Sequence, residues 1–158
     1  MNEIDIKIEK DDIIQFLDDY TDIVFKAKQS ALHATANVLK KKTIQSLQST
    51  GVRVNEVGQI YSDSLQDGVR VTRIKDGNRI GVHILGSNRS GSGTFRLRFF
   101  EKGTRDRYQK TKNGTRFLGH ISGYGFFESA VNSSMGEMES TLHETLEKMI
   151  RKAWDSYN

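Results

Sequence analysis

The sequence predicts an α+β fold: a long N-terminal helix and a C-terminal helix packed on one face of a small, mainly antiparallel sheet, with a long basic loop. Three observations predict it. Apolar residues recur at three- and four-residue spacing from Ile13 to Val38 and again from Phe127 to Ala153, the period of an amphipathic helix. Between them lie runs with strand-like alternation. An Asp76-Gly77-Asn78 turn signal separates two of those runs.

Ile4, Ile6 and Ile8 alternate with Asp5, Lys7 and Glu9, which predicts a short edge strand over 3–9. Asp11 and Asp12 supply a cap and negative charge for a helix running to about Gln48, with Ile13, Leu17, Tyr20, Val24, Ala27, Ala31, Ala34 and Val38 along one side. Its aspartates crowd the N-terminal half and its lysines the C-terminal half, as the helix dipole favours. The narrow alanine face lets another element lie close. Alanine at successive positions argues for helix-on-sheet packing over a coiled-coil seam.

After Gly51 a polar connector follows, with one or two helical turns over Gln59–Leu65. Gly68–Lys75, Arg79–Leu85 and Phe95–Glu101 read as strands, the first two joined as a hairpin. The serine- and glycine-rich segment 86–94 reads as a flexible tip and lacks the Lys-Ser/Thr ending of a phosphate-cradling loop. In such a sheet Ile80, Val82, Ile84, Phe95, Leu97 and Phe99 form an apolar face. Arg96 and Arg98, with Arg70 or Arg73 and Arg79, then stud the open one. That face reads either as a solvated surface or as a contact for polyanion or subunit. A second flexible, basic loop spans 102–118, and the last helix begins near Gly125 with Glu128 three residues on. Met135, Met138 and Met149 sit at core spacing in that helix.

The 158 residues are read as one domain, 1–158, since single cores serve chains of roughly 100–200 residues. Without cysteine there are neither disulfides nor thiolate metal sites. No apolar run approaches the ~20 residues of a membrane span, and the N-terminus is too acidic for a signal peptide, so the chain reads as soluble. The net charge of +4 conceals a segregation: 13 Lys/Arg against Asp76, Glu101 and Asp106 between Gly68 and Leu118. A net of +10 in the middle leaves −6 on the rest. This asymmetry suits either a polyanion partner or self-association of basic loop on acidic helix.

The residues offer no catalytic constellation, and no cofactor is expected. His33, His83, His120 and His143 show no close metal-ligand spacing, and no serine lies in a nucleophile elbow. Glu144–Lys148 and Glu147–Arg151 read as solvated helix pairs. Nucleic-acid binding is the stronger rival. Arg105, Arg107, Lys110, Lys112 and Arg116 interleave with Tyr108 and Phe117, so cations can meet phosphates while a ring stacks on a base. No recognised reading motif accompanies them.

Several short motifs follow one another in a set order. Gln59-Ile60-Tyr61-Ser62-Asp63-Ser64-Leu65 leads into Asp67-Gly68-Val69-Arg70-Val71. Then come Phe100-Glu101-Lys102-Gly103-Thr104, the basic loop, Gly119-His120-Ile121 and Phe126-Phe127-Glu128-Ser129-Ala130. Over nearly the whole chain this order resembles the neck or tail-completion (head–tail joining) proteins of long-tailed bacteriophages, the group that includes minor tail protein Z of lambdoid phages. Many members place a proline immediately before the Phe pair, where this chain has Gly125.

The resemblance implies a virion protein that does no chemistry, assembled in the host cytoplasm into a homo-oligomeric ring at the head–tail junction. Its partners would be copies of itself, the head connector and tail-tube proteins, with no membrane. In that setting the docking segment is Glu101, Lys102, Arg105, Arg107, Tyr108, Lys110, Lys112 and Arg116. Arg70, Arg73, Arg79, Arg96 and Arg98 would face DNA in the channel, and Phe126 and Phe127 would anchor the last helix. The alternative is a basic nucleic-acid-binding module.

Overall fold

The computed structural model describes residues 10–52, 64–74, 79–86, 92–112 and 114–155, with side chains in the first helix described from residue 18 onward. The first helix, α1, runs Lys10–Ser49, 40 residues or ~60 Å of rise. It stops where Gly51 turns to φ 75° and the Thr50 and Gly51 amides bond back to the Leu47 and Gln48 carbonyls. The second long helix spans Phe126–Asp155. Because it comes last in the chain it is α3. The architecture is α+β, as the sequence predicts.

The two long helices run antiparallel along each other. Lys42 Nζ meets Glu137 Oε2 at 2.8 Å near one end, and Ile23 and Lys26 border a shallow cavity with Met149, Lys152 and Ala153 near the other. Ala27 and Ala31 are buried where α3 lies against α1, and their methyl groups let the two backbones approach. On α3 the buried positions are Phe126, Ala130 and Ser134, one stripe at four-residue spacing. Ala153 lies two residues before α3 ends, so the first turns of α1 continue past the described end of its partner. Tyr20, on those turns, and Val24 and Phe25, beside the last turn of α3, are exposed, and the stripe expected through Tyr20 and Val24 therefore stops short of them. Met135 is likewise on the surface instead of in the core.

A hairpin of β1 (Arg70–Arg73) and β2 (Ile80–His83) also packs on α1. Its antiparallel register pairs Arg70 with His83 and Arg73 with Ile80, and Ile74 N–H closes it on the Arg79 carbonyl at 3.0 Å. Thr72, opposite Gly81, reaches diagonally to His83, with Oγ1 and Nε2 2.8 Å apart. The densest core gathers at this end of the molecule. Leu47 of α1, Leu65, Val69, Leu97 and Phe126 are buried together, with Ile44, Val52, Val82, Ile84, Phe100 and Phe127 around them. Burial of several such side chains, each stabilising by about 1.5–3 kcal/mol, fixes where α1 ends and α3 begins.

Two expectations are corrected. Residues 95–101 are not a strand: a 3-10 turn over Thr94–Arg96 leads into a short helix, α2, at Leu97–Lys102. Alternation over Phe95–Phe99 is too short to distinguish periods, and Phe100 decides the matter. A helix puts Leu97 and Phe100, three apart, toward the core together. Phe95 and Phe99, four apart, meet edge to face at 6.2 Å. The basic loop also contains structure, a second hairpin of β3 (Arg107–Thr111) and β4 (Gly114–Gly119), so there are two two-stranded sheets. The strand expected at 3–9, the turn at 76–78 and most of the connector and 86–94 tip lie outside the described residues. Ser64 and Leu65, at the end of that connector, do enter a 3-10 turn (Leu65–Gly68), with Ser64 N–H on Asp67 Oδ2 at 3.0 Å.

One buried group works against the fold. Gln29 on α1 is only 7% exposed, and neither side-chain atom has a hydrogen-bond partner among the described residues. It borders a shallow cavity with Ser30, His33, Asn37 and Arg73. Replacing the amide by the similarly shaped thioether, Gln29→Met, removes an unsatisfied polar group and is expected to raise stability by about 1–3 kcal/mol. The urea midpoint measures this; an unchanged or lower midpoint would mean that water already satisfies the amide.

Candidate functional site

The end of α2 and the start of α3 are held by a six-bond clasp. The Glu101 carboxylate accepts from two free amides of the α3 N-terminus, Phe127 N–H at 2.8 Å (Oε2) and Glu128 N–H at 3.2 Å (Oε1). Its backbone carbonyl accepts from Gly125 N–H at 3.1 Å, and the Phe100 carbonyl from Tyr124 N–H at 2.7 Å. Thr104 then exchanges two bonds with Ile121: its N–H donates to the Ile121 carbonyl, and its Oγ1 accepts from Ile121 N–H, each at 2.9 Å. A carboxylate at a helix N-terminus satisfies orphan donors and meets the positive end of the dipole.

Glycine makes this approach possible. Gly103 ends α2 at φ 76°, ψ −179°, a conformation essentially reserved for glycine, with its N–H on the Phe99 carbonyl at 2.8 Å. A Cβ there would stand 2.8 Å from Gly123 N and 2.9 Å from the Ile121 oxygen. Gly125 explains the missing proline. Its φ of 59° is outside proline's range, and its N–H is in use.

The motifs Glu101-Lys102-Gly103-Thr104, Ile121 and Phe126-Phe127-Glu128 therefore converge on one structural joint. Glu101, expected to dock outward, is turned inward to cap α3. Phe126 is buried in the core and Phe127 packs beside it.

Out of this joint stands the β3–β4 arm. Its root is pinned by Thr104 and Ile121 and again by Asp106 Oδ1 against His120 Nδ1 at 3.2 Å. Tyr108 pairs with Phe117, their rings 5.3 Å apart, and Gln109 pairs with Arg116. A register shift between Arg107 and Tyr108 leaves Leu118 as the extra residue. Alternation then puts Lys110 and Thr115 on the aromatic face and Arg107, Gln109 and Arg116 on the other. Thr111 Oγ1 reaches the Gly114 carbonyl at 2.9 Å to close the tip. The Asn113-Gly114 pair is a hairpin signal that sequence reasoning passed over.

Every residue of β3 is exposed, as are those of β4 except Gly119. Tyr108 is 61%, Phe117 53% and Leu118 48% exposed. Lys102, Arg105, Arg107, Lys110, Lys112 and Arg116 are all exposed around them. A lone two-stranded ribbon is marginal in water, and this one covers neither face with the body of the protein.

The other predicted cations do not assemble into one surface. Arg70 and Arg73 stand three apart on β1 and so point to opposite sides; Arg70 Nε donates to the Asp67 carbonyl at 3.2 Å. Arg79 is exposed just before β2. Arg96 is half-buried with Nε on the Gly93 carbonyl at 3.1 Å, while Arg98 lies over Phe99, 5.7 Å from the ring centre. The single arginine-studded sheet face is therefore corrected: the strand that would have carried Arg96 and Arg98 is helical. Among the described residues, no three of His, Asp and Glu gather as a metal-binding group, and no helix is long and apolar enough to cross a membrane.

Glu101→Ala is expected to lower stability by about 1–2 kcal/mol through loss of the cap, and Gly103→Ala by about 1–3 kcal/mol through backbone strain. Denaturant unfolding of both variants checks this, and stability retained in both would mean that the joint does not hold α3. No known family, curated protein or solved structure matches the chain.

Proposed function

We propose that this chain is a structural virion protein of the phage head–tail junction, of the neck or tail-completion type, which works by assembling with itself into a ring and docking, with no catalysis. The observation that carries the reading is the arm: a basic, aromatic ribbon exposed on both faces yet rooted in a rigid joint. Such a feature is suited to meeting another surface. The order of motifs that builds the joint is also the one that resembles the phage group. The head connector and tail-tube proteins are the further partners of this reading.

A second reading, a basic nucleic-acid-binding module, is favoured by the same ribbon, since Arg107, Lys110, Lys112 and Arg116 surround a stacked Tyr108–Phe117 pair. Phosphate attraction would be non-specific and steeply salt-dependent.

In virions purified from a host expressing the gene, the chain is expected at the head–tail junction by electron microscopy. Arm variants with Lys110, Lys112 and Arg116 changed to Ser are expected to leave filled heads and free tails unjoined. Absence of the chain from particles would overturn the virion reading; salt-dependent DNA binding lost in the same variants, with joining intact, would favour the second.

A further inference from the structure

We infer that the surface receiving the β3–β4 arm is the N-terminal part of α1 on a second copy of this chain, its projecting turns together with the turn beside the end of α3, centred on Asp18, Asp22 and Phe25. The inference rests on the reading that the chain works by assembling with itself, and it identifies the surface that accepts the arm.

Charge complementarity is the first argument. From Arg105 to Arg116 the arm carries five bases against Asp106, which is engaged with His120 at the root. From Asp11 to Phe25 the sequence of α1 carries five aspartates and no base. Asp18, Asp19 and Asp22 are exposed, and the Asp22–Lys26 ion pair, at 3.9 Å, is between side chains 76% and 74% exposed and so holds Asp22 weakly.

Apolar surface is the second. Asp18, Asp22 and Phe25 fall at i, i+4 and i+7 and share a helix face. Phe25 is 47% and Val24 39% exposed on α1, with Ile150 50% exposed on the adjacent end of α3. The arm offers Tyr108, Phe117 and Leu118 within its cationic rim. Each side thus has an apolar centre edged by charge of opposite sign, the composition of a specific interface.

Reach is the third. The arm springs from the N-terminal end of α3, whereas the acidic projection begins at its described C-terminal end, 30 residues or ~45 Å away. A strand of 5 residues spans only ~17 Å. The two surfaces cannot meet within one chain, and because they sit at opposite ends of the body they join copies head to tail. Such a contact closes into a ring when its rotation permits.

The full chain is tested by sedimentation velocity at about 0.05 M and about 0.5 M salt, which bracket strong and weak screening. One variant reverses the arm (Lys110→Glu, Lys112→Glu, Arg116→Glu) and another reverses the projection (Asp18→Lys, Asp19→Lys, Asp22→Lys), with circular dichroism confirming that both are folded. Wild type is expected to self-associate at low salt, and each variant alone to do so roughly tenfold or more weakly. An equal mixture of the two variants is expected to regain association, because both arm–projection contacts in the mixture are again between opposite charges. Tyr108→Ser and Phe25→Ser, which leave every charge in place, are each expected to weaken it as well. A monomeric wild type at low salt, association unchanged in either reversed variant, or no recovery on mixing would each overturn the inference. So would loss of double-stranded DNA binding in the arm variant with association intact, which would assign the arm to nucleic acid. Absence of the chain from virions would sink the neck reading while leaving this result standing.

Discussion

The Glu101 carboxylate on the first amides of α3 is the interaction on which the rest of the molecule depends. It couples three things that the sequence presents separately: the end of α2, the start of α3 and the root of the arm. Without it, Phe127 and Glu128 N–H would lose their partner at a helix N-terminus that the core holds in place, a costly arrangement. With it, Phe126 is delivered into the same cluster as Leu97 and Leu47. The helix that carries the motif is only 6 residues long, so its identity as a helix rests on these tertiary partners more than on its own propensity.

The stability of the body is unevenly distributed along its length. Large buried side chains gather where α1 ends and α3 begins, while farther along the pair the contact is made by Ala27 and Ala31, with Gln29 buried at a cost. The far end holds exposed Phe25, Ile150 and Trp154. A long helix pair with its large-residue core at one end behaves as a rigid head with a thinner shaft, and local opening is expected to be easiest toward the shaft's far end.

Much of this was legible in the residues. Both long helices follow from their periodicity, and the β1–β2 pairing from alternation around Asp76-Gly77-Asn78, because those patterns are long or carry strong local turn chemistry. Phe95–Glu101 is helical although five alternating residues fit a strand, and what decides is that Leu97 and Phe100 must reach the same cluster. The arm has the sequence pattern of a loop, since its strands bury nothing and charge outnumbers apolar residues in it, and Asn113-Gly114 is its local hairpin signal. Of the candidate site, the interleaving of cations with Tyr108 and Phe117 is legible over 105–117, and so is the Phe126-Phe127 pair at the start of the last helix. The inward role of Glu101 is not legible, because a helix cap supplied from 26 residues upstream has no local signature.

Thr104 and Ile121 are 17 positions apart in the chain and hydrogen-bonded to each other, so everything between them leaves the body and returns to nearly the same point. The cost of closing such an excursion grows only with the logarithm of its length, each doubling adding about 0.6 kcal/mol. The body is thus indifferent, to first order, to how long the ribbon is or what it displays. A lineage could lengthen the ribbon, invert its charge or replace its rings to follow a changing partner without renegotiating the core, which makes this joint a socket for evolutionary exchange.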